Sequence, residues 1–437
     1  MKSINTGKVA AVQMNSDQEK EVLLRINMRR LMETLEISNQ VGSLPEGGLC
    51  RLALSDEDKV MRDHLCEWMT KEGLDVRFDD FGNIYGRREG RIPDAAPVLI
   101  GSHLDTQPEG GRYDGILGVL AALEVIRTLN ERGIETERPI EVVNFTNEEG
   151  ARFEPPMLGS GGIASLFRKE YIYGLKDKDG KYFGDELQRI GYVGEKKNRI
   201  EKAHRYVELH IEQGPLLENQ GISIGAVEGV QGMTWLEVTL EGSSSHAGTT
   251  PMELRKDALQ TACKIIHSLP IFAHEVDSET LVTVGRMQIS PHSVNSVPGK
   301  VVFSVDIRHF DDTIRRQAVE FIQGKITMLA TCDNIQVKIY NLWDIDATRF
   351  SPDVIEMIEQ ASQKYGYPYR RIVSGAGHDA KYINDSFPSG MIFVPSAGGR
   401  SHCQDEFTSQ EDIEKGVNIL LYVTLNLANQ KLIDGGN

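Results

Sequence analysis

The sequence has little that would tie it to a membrane, a nucleic acid or an oxidising compartment. Its five cysteines, Cys50, Cys66, Cys263, Cys332 and Cys403, are scattered through 437 residues with no C-x-x-C pair. An odd, dispersed set excludes a disulfide framework and a thiolate metal site and fits a reducing compartment, so the cytoplasm is the expected location. Long apolar runs are missing as well. The longest, Ile116 to Ile126, falls short of the roughly 20 residues that cross a bilayer. The first residues, Met1-Lys2-Ser3-Ile4-Asn5 through to Arg29-Arg30, hold no apolar core and no small-residue cleavage site, so no signal peptide is expected. Basic charge is in deficit, with 48 Lys and Arg against 64 Asp and Glu and a formal net charge of -16. That balance opposes a phosphate backbone or an anionic membrane as partner. No internal repeat or low-complexity tract is present.

What is there is a globular enzyme composition, 40% hydrophobic and 26% charged, on a chain too long for one hydrophobic core, so two domains are expected. From Arg91 strands and helices alternate. Val98-Leu99-Ile100 reads as a buried strand. Ile116, Val119, Leu120, Leu123 and Ile126 repeat at helical spacing, and Gly133 ends that helix. Ile140–Phe145 and Tyr206–Ile211 read as further strands. Such alternation predicts an α/β fold, a mostly parallel sheet covered by helices on both faces. After about Gly225 the order changes. A strand over Met233–Leu240, a helix over Lys256–Leu269, a strand over Thr280–Met287, a strand over Val301–Arg308, a helix over Thr313–Leu329 and a strand over Ile335–Tyr340 are expected. That β-α-β-β-α-β order is the ferredoxin-like arrangement. Beyond Ser351 the first pattern resumes, with Met391–Val394 as a late strand. The reading is therefore a catalytic domain in two segments, 1–225 and 344–437, with a small α+β domain inserted at 226–343.

The polar residues that stand out lie at strand ends. Gly101-Ser102-His103-Leu104-Asp105-Thr106 follows the first buried strand, and Gly110-Gly111-Arg112-Tyr113-Asp114-Gly115 precedes the helix. Thr146-Asn147-Glu148-Glu149-Gly150 follows the second strand, Glu208-Leu209-His210-Ile211-Glu212-Gln213 spans the end of the third, and Ser401-His402 follows the late strand. Open α/β sheets bind ligands beyond the carboxyl ends of their strands. Any one of these groups alone would read as a solvated or satisfied polar residue. Together they form a set of imidazoles and carboxylates suited to divalent metal. In an adjacent pair such as Glu148-Glu149, one acid can bind metal while the other serves as base. His64, His204, His267, His274, His292 and His309 lie outside such clusters, and Cys403 reads as packing.

The strings GSHLDTQPEGGRYDG, TNEEGARF, ELHIEQGPLLE, EGSSSHAGTTPM, NSVPGKVVFSVDIRH and PSAGGRSHCQDEF resemble the amidase branch of the dinuclear-zinc aminoacylase and carboxypeptidase family. That branch holds N-carbamoyl-L-amino acid hydrolases, β-ureidopropionases and allantoate amidohydrolases. The resemblance runs from Leu52 to Phe407 and implies two divalent ions, with zinc first and manganese, cobalt or nickel suited to the same ligands. It implies that His103 and His210 hold one ion, Glu149 and His402 the other, and that Asp114 bridges them. Glu148 is then the general base and His246 the oxyanion partner. Asn295 and Arg308 would hold the substrate carboxylate, with Gln213, Gly377 and His378 lining the pocket. It also implies a homodimer formed through the inserted domain, with His246 reaching the partner's metal site.

Two features separate this branch from the exopeptidases that are the more distant alternative. Asp114 follows His103 by only 11 positions, and His210 stands where the peptidases usually carry Asp or Glu. Within the branch the sequence leaves allantoate open as substrate. Arg308 suits any carboxylate, so it does not tell an α- from a β-amino acid.

Overall fold

The computed structural model describes residues 23–430. The opening stretch in which no signal peptide is expected lies, as far as residue 22, outside the described residues.

Sixteen strands follow one another along the described chain. They begin with β1 (Asp75–Phe78), β2 (Ile84–Arg88), β3 (Val98–His103), β4 (Ile140–Phe145), β5 (Arg205–Ile211) and β6 (Ile224–Val230). Next come β7 (Gly232–Glu241), β8 (Ser245–His246), β9 (Leu281–Thr283), β10 (Met287–Ser290), β11 (Ser296–Val297), β12 (Lys300–His309) and β13 (Gln336–Ile345). The last are β14 (Thr348–Arg349), β15 (Tyr369–Ser374) and β16 (Ser389–Val394).

The larger sheet runs β1-β2-β4-β3-β5-β16-β6-β14, with β15 also on β6. Its central strands β4, β3, β5 and β16 are parallel. Antiparallel pairs flank them, β1 with β2 and β2 with β4 on one side, β16 with β6 and β6 with β14 on the other. Every residue of β3, β4 and β16 is buried, as the continuous apolar runs of a sheet covered on both sides require. The helix Ile116–Glu131 is apolar nearly all round and is buried to match. It packs with the helix Gln410–Ala428 against β3 and β5. Because the central strands are parallel, His103 at the end of β3, the Thr146–Glu149 turn after β4 and His210 near the end of β5 open on one side of the sheet.

Residues 232–345 form a second, antiparallel sheet in the order β10-β12-β7-β13, with β9 also on β12. The helices Ala258–Val276 and Asp312–Cys332 cover it. Leu236, Val238, Leu240, Ile265, Val301, Phe303, Val305 and Ile322 form a hydrophobic cluster distinct from that of the larger sheet.

Two expected elements differ. The strand expected over 280–287 is split into β9 and β10, because residues 284–286 stand opposite only 304–305 of β12. This is a bulge, placed at Gly285, where no side chain steadies the ladder. The helix expected to stop before Pro270 runs on to Val276 with Pro270 inside it. Leu269, Phe272 and Ala273 continue its buried face, and that burial outweighs the bond proline removes. No helix among the described residues is long and apolar enough to cross a membrane.

Candidate metal centre

The centre is built around Asp114, which the tight loop Gly110–Gly115 carries to the start of the helix Ile116–Glu131. Gly115 takes φ +66°, and a Cβ there would lie 2.2 Å from the His103 ring; only glycine lets the loop pass so close.

Two imidazoles approach Asp114 from neighbouring strands. Nε2 of His210 is 3.2 Å and Nε2 of His103 3.6 Å from its Oδ1. Both rings are fixed from behind. Nδ1 of His103 donates to the backbone oxygen of Asp105 at 3.0 Å, and Nδ1 of His210 to that of Ile211 at 2.9 Å. A carbonyl can only accept, so Nδ1 of each ring carries a proton and Nε2 faces Asp114, that of His210 also meeting the amide of Gly115 at 3.1 Å. This is the arrangement of a metal-ligating histidine.

On the other oxygen of Asp114, Nε2 of His402 lies 3.3 Å from Oδ2 and 3.5 Å from Oε2 of Glu149. Ligand atoms of His103, Asp114 and His210 lie within 4.8 Å of one another, as do those of Asp114, Glu149 and His402, so the two groups share one carboxylate. Glu148 stands beside the first group, its Oε2 3.6 Å from Nε2 of His103. Gln213 joins the second, donating to Oδ2 of Asp114 at 2.7 Å.

The donor set fits divalent cations. Nε2 of His103 and Oε1 of Glu149 are buried with no hydrogen-bond partner, a costly state unless an ion takes the lone pairs. Burial pushes Glu148 well above the usual carboxylate range, helped by Asp379 and Glu149. Glu149 is raised too, by burial and by Asp114. Burial lowers His103 to about 4. In His210 burial works downward but the hydrogen bond and charge of Asp114 prevail, lifting it to about 9. Crowded carboxylates that raise one another and charge a neighbouring imidazole are the electrostatic mark of a site short of positive charge.

A third group, Glu208, His210 and His378, is also within reach of a single ion. Its acceptors are engaged, however. Glu208 receives the hydroxyls of Ser102 and Tyr206 and the amide of Ala380 at 2.6–3.1 Å, and Nε2 of His378 meets Oγ of Ser374 at 3.1 Å. His378 packs against His210 with ring centroids 4.5 Å apart, and Gly377 precedes it on the same loop. His309, read from the sequence as outside any cluster, is buried within reach of Asp277 and Glu279, its Nε2 3.3 Å from Oδ1 of Asp277.

The structure thus brings together His103, Asp114, Glu148, Glu149, His210, Gln213, His378 and His402. Arg308 reaches the rim, where it donates to the backbone oxygen of Gly375. His246 ends β8, paired with Ser296 of β11, and Asn295 immediately precedes β11; both are exposed and bonded locally. Nδ1 of His246 accepts from the amide of Gly248, and the carbonyl of Asn295 from that of Ala247. Among the described residues neither has a hydrogen bond or ion pair to the Asp114 cluster.

Sequence reading passed over the residues that hold the ligands in place. Asp105 accepts the amides of both Glu148 and Glu149 at 3.2 Å, pinning the turn in which Asn147 takes φ +58°. Glu406 accepts the amides of Tyr113 and Asp114 at 2.9 and 3.1 Å and the hydroxyl of Ser401 at 3.1 Å. Burial, then the charge of Asp114, pushes Glu406 up to about 7. Gln213 and His402 hold φ values of +57° and +54°, a strained left-handed backbone for side chains of that size. The signal for Asp105 and Glu406 lay in two of the strings already singled out, but nothing local marked them as acceptors of distant amides.

The profile of peptidase family M20/M25/M40 matches residues 99–426. Among curated relatives, the N-carbamoyl-L-amino-acid amidohydrolase of Rhizobium meliloti is 42% identical, covering 92% of this chain and 97% of that one. The allantoate amidohydrolase of Bacillus subtilis is 34% identical, covering 91% of this chain and 97% of its own. Among solved structures, a hydantoinase/carbamoylase family amidase from Burkholderia multivorans is 44% identical with a TM-score of 0.91, covering 94% of this chain and all of that one.

Proposed function

The chain belongs to peptidase family M20/M25/M40, and from that premise we propose that it is an amidohydrolase that removes the carbamoyl group from N-carbamoyl amino acids. The observation that carries the reading is one carboxylate, Asp114, shared by two ligand groups with Glu148 beside the first. Relatives named for this reaction, at 42% and 37% identity over nearly their whole lengths, support it.

In this reading His103 and His210 would hold one divalent ion, Glu149 and His402 a second, and Asp114 would serve both; zinc is the first choice. When bound, the ions supply Lewis acidity that acidifies a water and polarises the ureido carbonyl. Glu148 takes the proton of the attacking water and hands it to the departing nitrogen. Its place beside His103 at 3.6 Å suits a group that takes up and passes on a proton. The carbamate product decomposes to ammonia and carbon dioxide and leaves the free amino acid. Arg308 and Asn295 bind the substrate carboxylate, while Gln213, Gly377 and His378 line the pocket. His246 stabilises the developing oxyanion from the second copy of a homodimer formed through the unit expected at 226–343. Its exposure and its separation from its own chain's cluster support that assignment. The expected location remains the cytoplasm, which the unpaired cysteines suit.

The test is a panel of N-carbamoyl-L-amino acids, N-carbamoyl-β-alanine, allantoate and dipeptides, assayed on protein of measured metal content. Turnover of the carbamoyl amino acids is expected. A preference for allantoate would redirect the reading to the activity named for the Bacillus relative, and turnover of dipeptides alone would overturn it.

A further inference from the structure

Arg308 is held from two sides. On β12 the side chains of Val301, Phe303, Val305 and Ile307 are buried under the helices, and Asp306 and Arg308 share the opposite, half-buried face. There Nε of Arg308 donates to both carboxylate oxygens of Asp306 at 3.1 Å, and Nη2 donates to Oδ2 at 2.7 Å. From the other side, Nη1 donates to the carbonyl of Gly375 at 2.7 Å. The Gly375 loop is itself fixed, since Oγ of Ser374 bonds Ala376 and His378, and His378 rests on His210.

A guanidinium offers five N–H donors in one plane. Asp306 takes the Nε/Nη2 edge and Gly375 one hydrogen of Nη1. One hydrogen remains on each of Nη1 and Nη2, and a pair of such donors can meet the two oxygens of a carboxylate. The Arg308 and Asp306 side chains are 28% and 24% exposed, so a small solute can reach these donors without unfolding the strand.

We infer that Asp306 is a positioning residue for carboxylate recognition: it fixes the roll of the Arg308 guanidinium so that the remaining Nη1 and Nη2 hydrogens, and no others, are presented to the substrate. The inference rests on the amidohydrolase reading and on Arg308 as its carboxylate partner. A long arginine side chain otherwise loses its rotational freedom when substrate binds; here that ordering is complete beforehand. Asp306 also brings a negative charge close to an incoming carboxylate. That charge is already paired with the guanidinium at 2.7 Å, which offsets the repulsion, so pre-ordering prevails.

The experiment is Asp306→Asn, which keeps the size of the side chain and removes the charged bidentate acceptor. For an N-carbamoyl-L-amino acid, KM should rise roughly tenfold, as expected for weakening one charge-assisted contact, with kcat nearly unchanged. As competitive inhibitors, propionate should weaken in step with KM, while N-ethylurea, which has the ureido group and no carboxylate, should keep its inhibition constant. Asp306→Glu should recover part of the loss, and it serves as the test if the asparagine variant does not fold. An unchanged or lower KM would make Asp306 a bystander or a competitor and overturn the inference. So would a parallel weakening of propionate and N-ethylurea, which would mean general damage to the site. If the wild type hydrolysed no N-carbamoyl amino acid, the amidohydrolase reading would fall by itself. Propionate binding by calorimetry would still decide the brace, which stands if Asp306→Asn weakens it and falls if it does not.

Discussion

The polar groups around Asp114 and those around His246 are held in opposite ways. Around Asp114, side chains from the ends of parallel strands and from two loops touch one another at 2.7–3.6 Å, and all but His402 are buried or half-buried. His246 and Asn295 lie on and beside a two-residue strand pair, exposed, with hydrogen bonds to these two short segments. The first set can hold its geometry without help because its surroundings over-determine it. The second can act only when something is brought to it. In the proposed reading, metal binding and proton transfer belong to the first set, and oxyanion and carboxylate recognition draw on the second.

The harshest way to break the buried side is Glu148→Gln. Turnover should fall by roughly 10²–10⁴, the usual contribution of a positioned acid-base group, while metal analysis still finds two ions per chain. Loss of an ion with undiminished turnover per remaining ion would exchange the roles of Glu148 and Glu149. Next comes Glu406→Gln, which replaces an acceptor of two amides and a hydroxyl with a group holding a single carbonyl. Metal affinity should drop about 10–100-fold, as for other supports of metal ligands, read by competition against a chromophoric chelator. Unaltered affinity would mean that Asp114 needs no such support. On the recognition side, Arg308→Ala should raise KM for carbamoyl amino acids by roughly 10-fold or more, with Arg308→Lys recovering only part because an ammonium is a point donor. Normal KM in both would move carboxylate binding elsewhere. The finest test mixes two inactive variants, Glu148→Gln and His246→Ala, after dissociation and reassociation. If His246 serves the second copy, statistical pairing restores up to about a quarter of wild-type activity. Verified mixed dimers that stay inactive would return His246 to its own chain.

Much of this was legible from local pattern. Val98-Leu99-Ile100 and Ile140–Phe145 could only be buried strands, and the helix beginning at Ile116 repeats its apolar residues at the right spacing. Once those elements are parallel, His103, Glu148, Glu149 and His210 must gather at one end of the sheet. Where the pattern misled, the cause was also physical. The helix expected over Lys256–Leu269 goes on past Pro270, because the buried face continues through Phe272 and Ala273. The expected strand over 280–287 carried no sign of how its partner would align, and the register with β12 left one residue over at the Gly285 bulge.

Spacing within a dozen residues is enough to give the α/β character and to say which imidazoles and carboxylates stand at strand ends. Tertiary structure alone decided that Asp114 is shared by two groups, that Asp105 pins the Glu148–Glu149 turn and that Glu406 holds the Asp114 loop. It also decided that Arg308 is braced by Asp306 and Gly375. Tyr113 and Glu406 are 293 positions apart along the chain. Such a hydrogen bond is set by which strands are neighbours and by how far each loop extends, neither of which leaves a local trace.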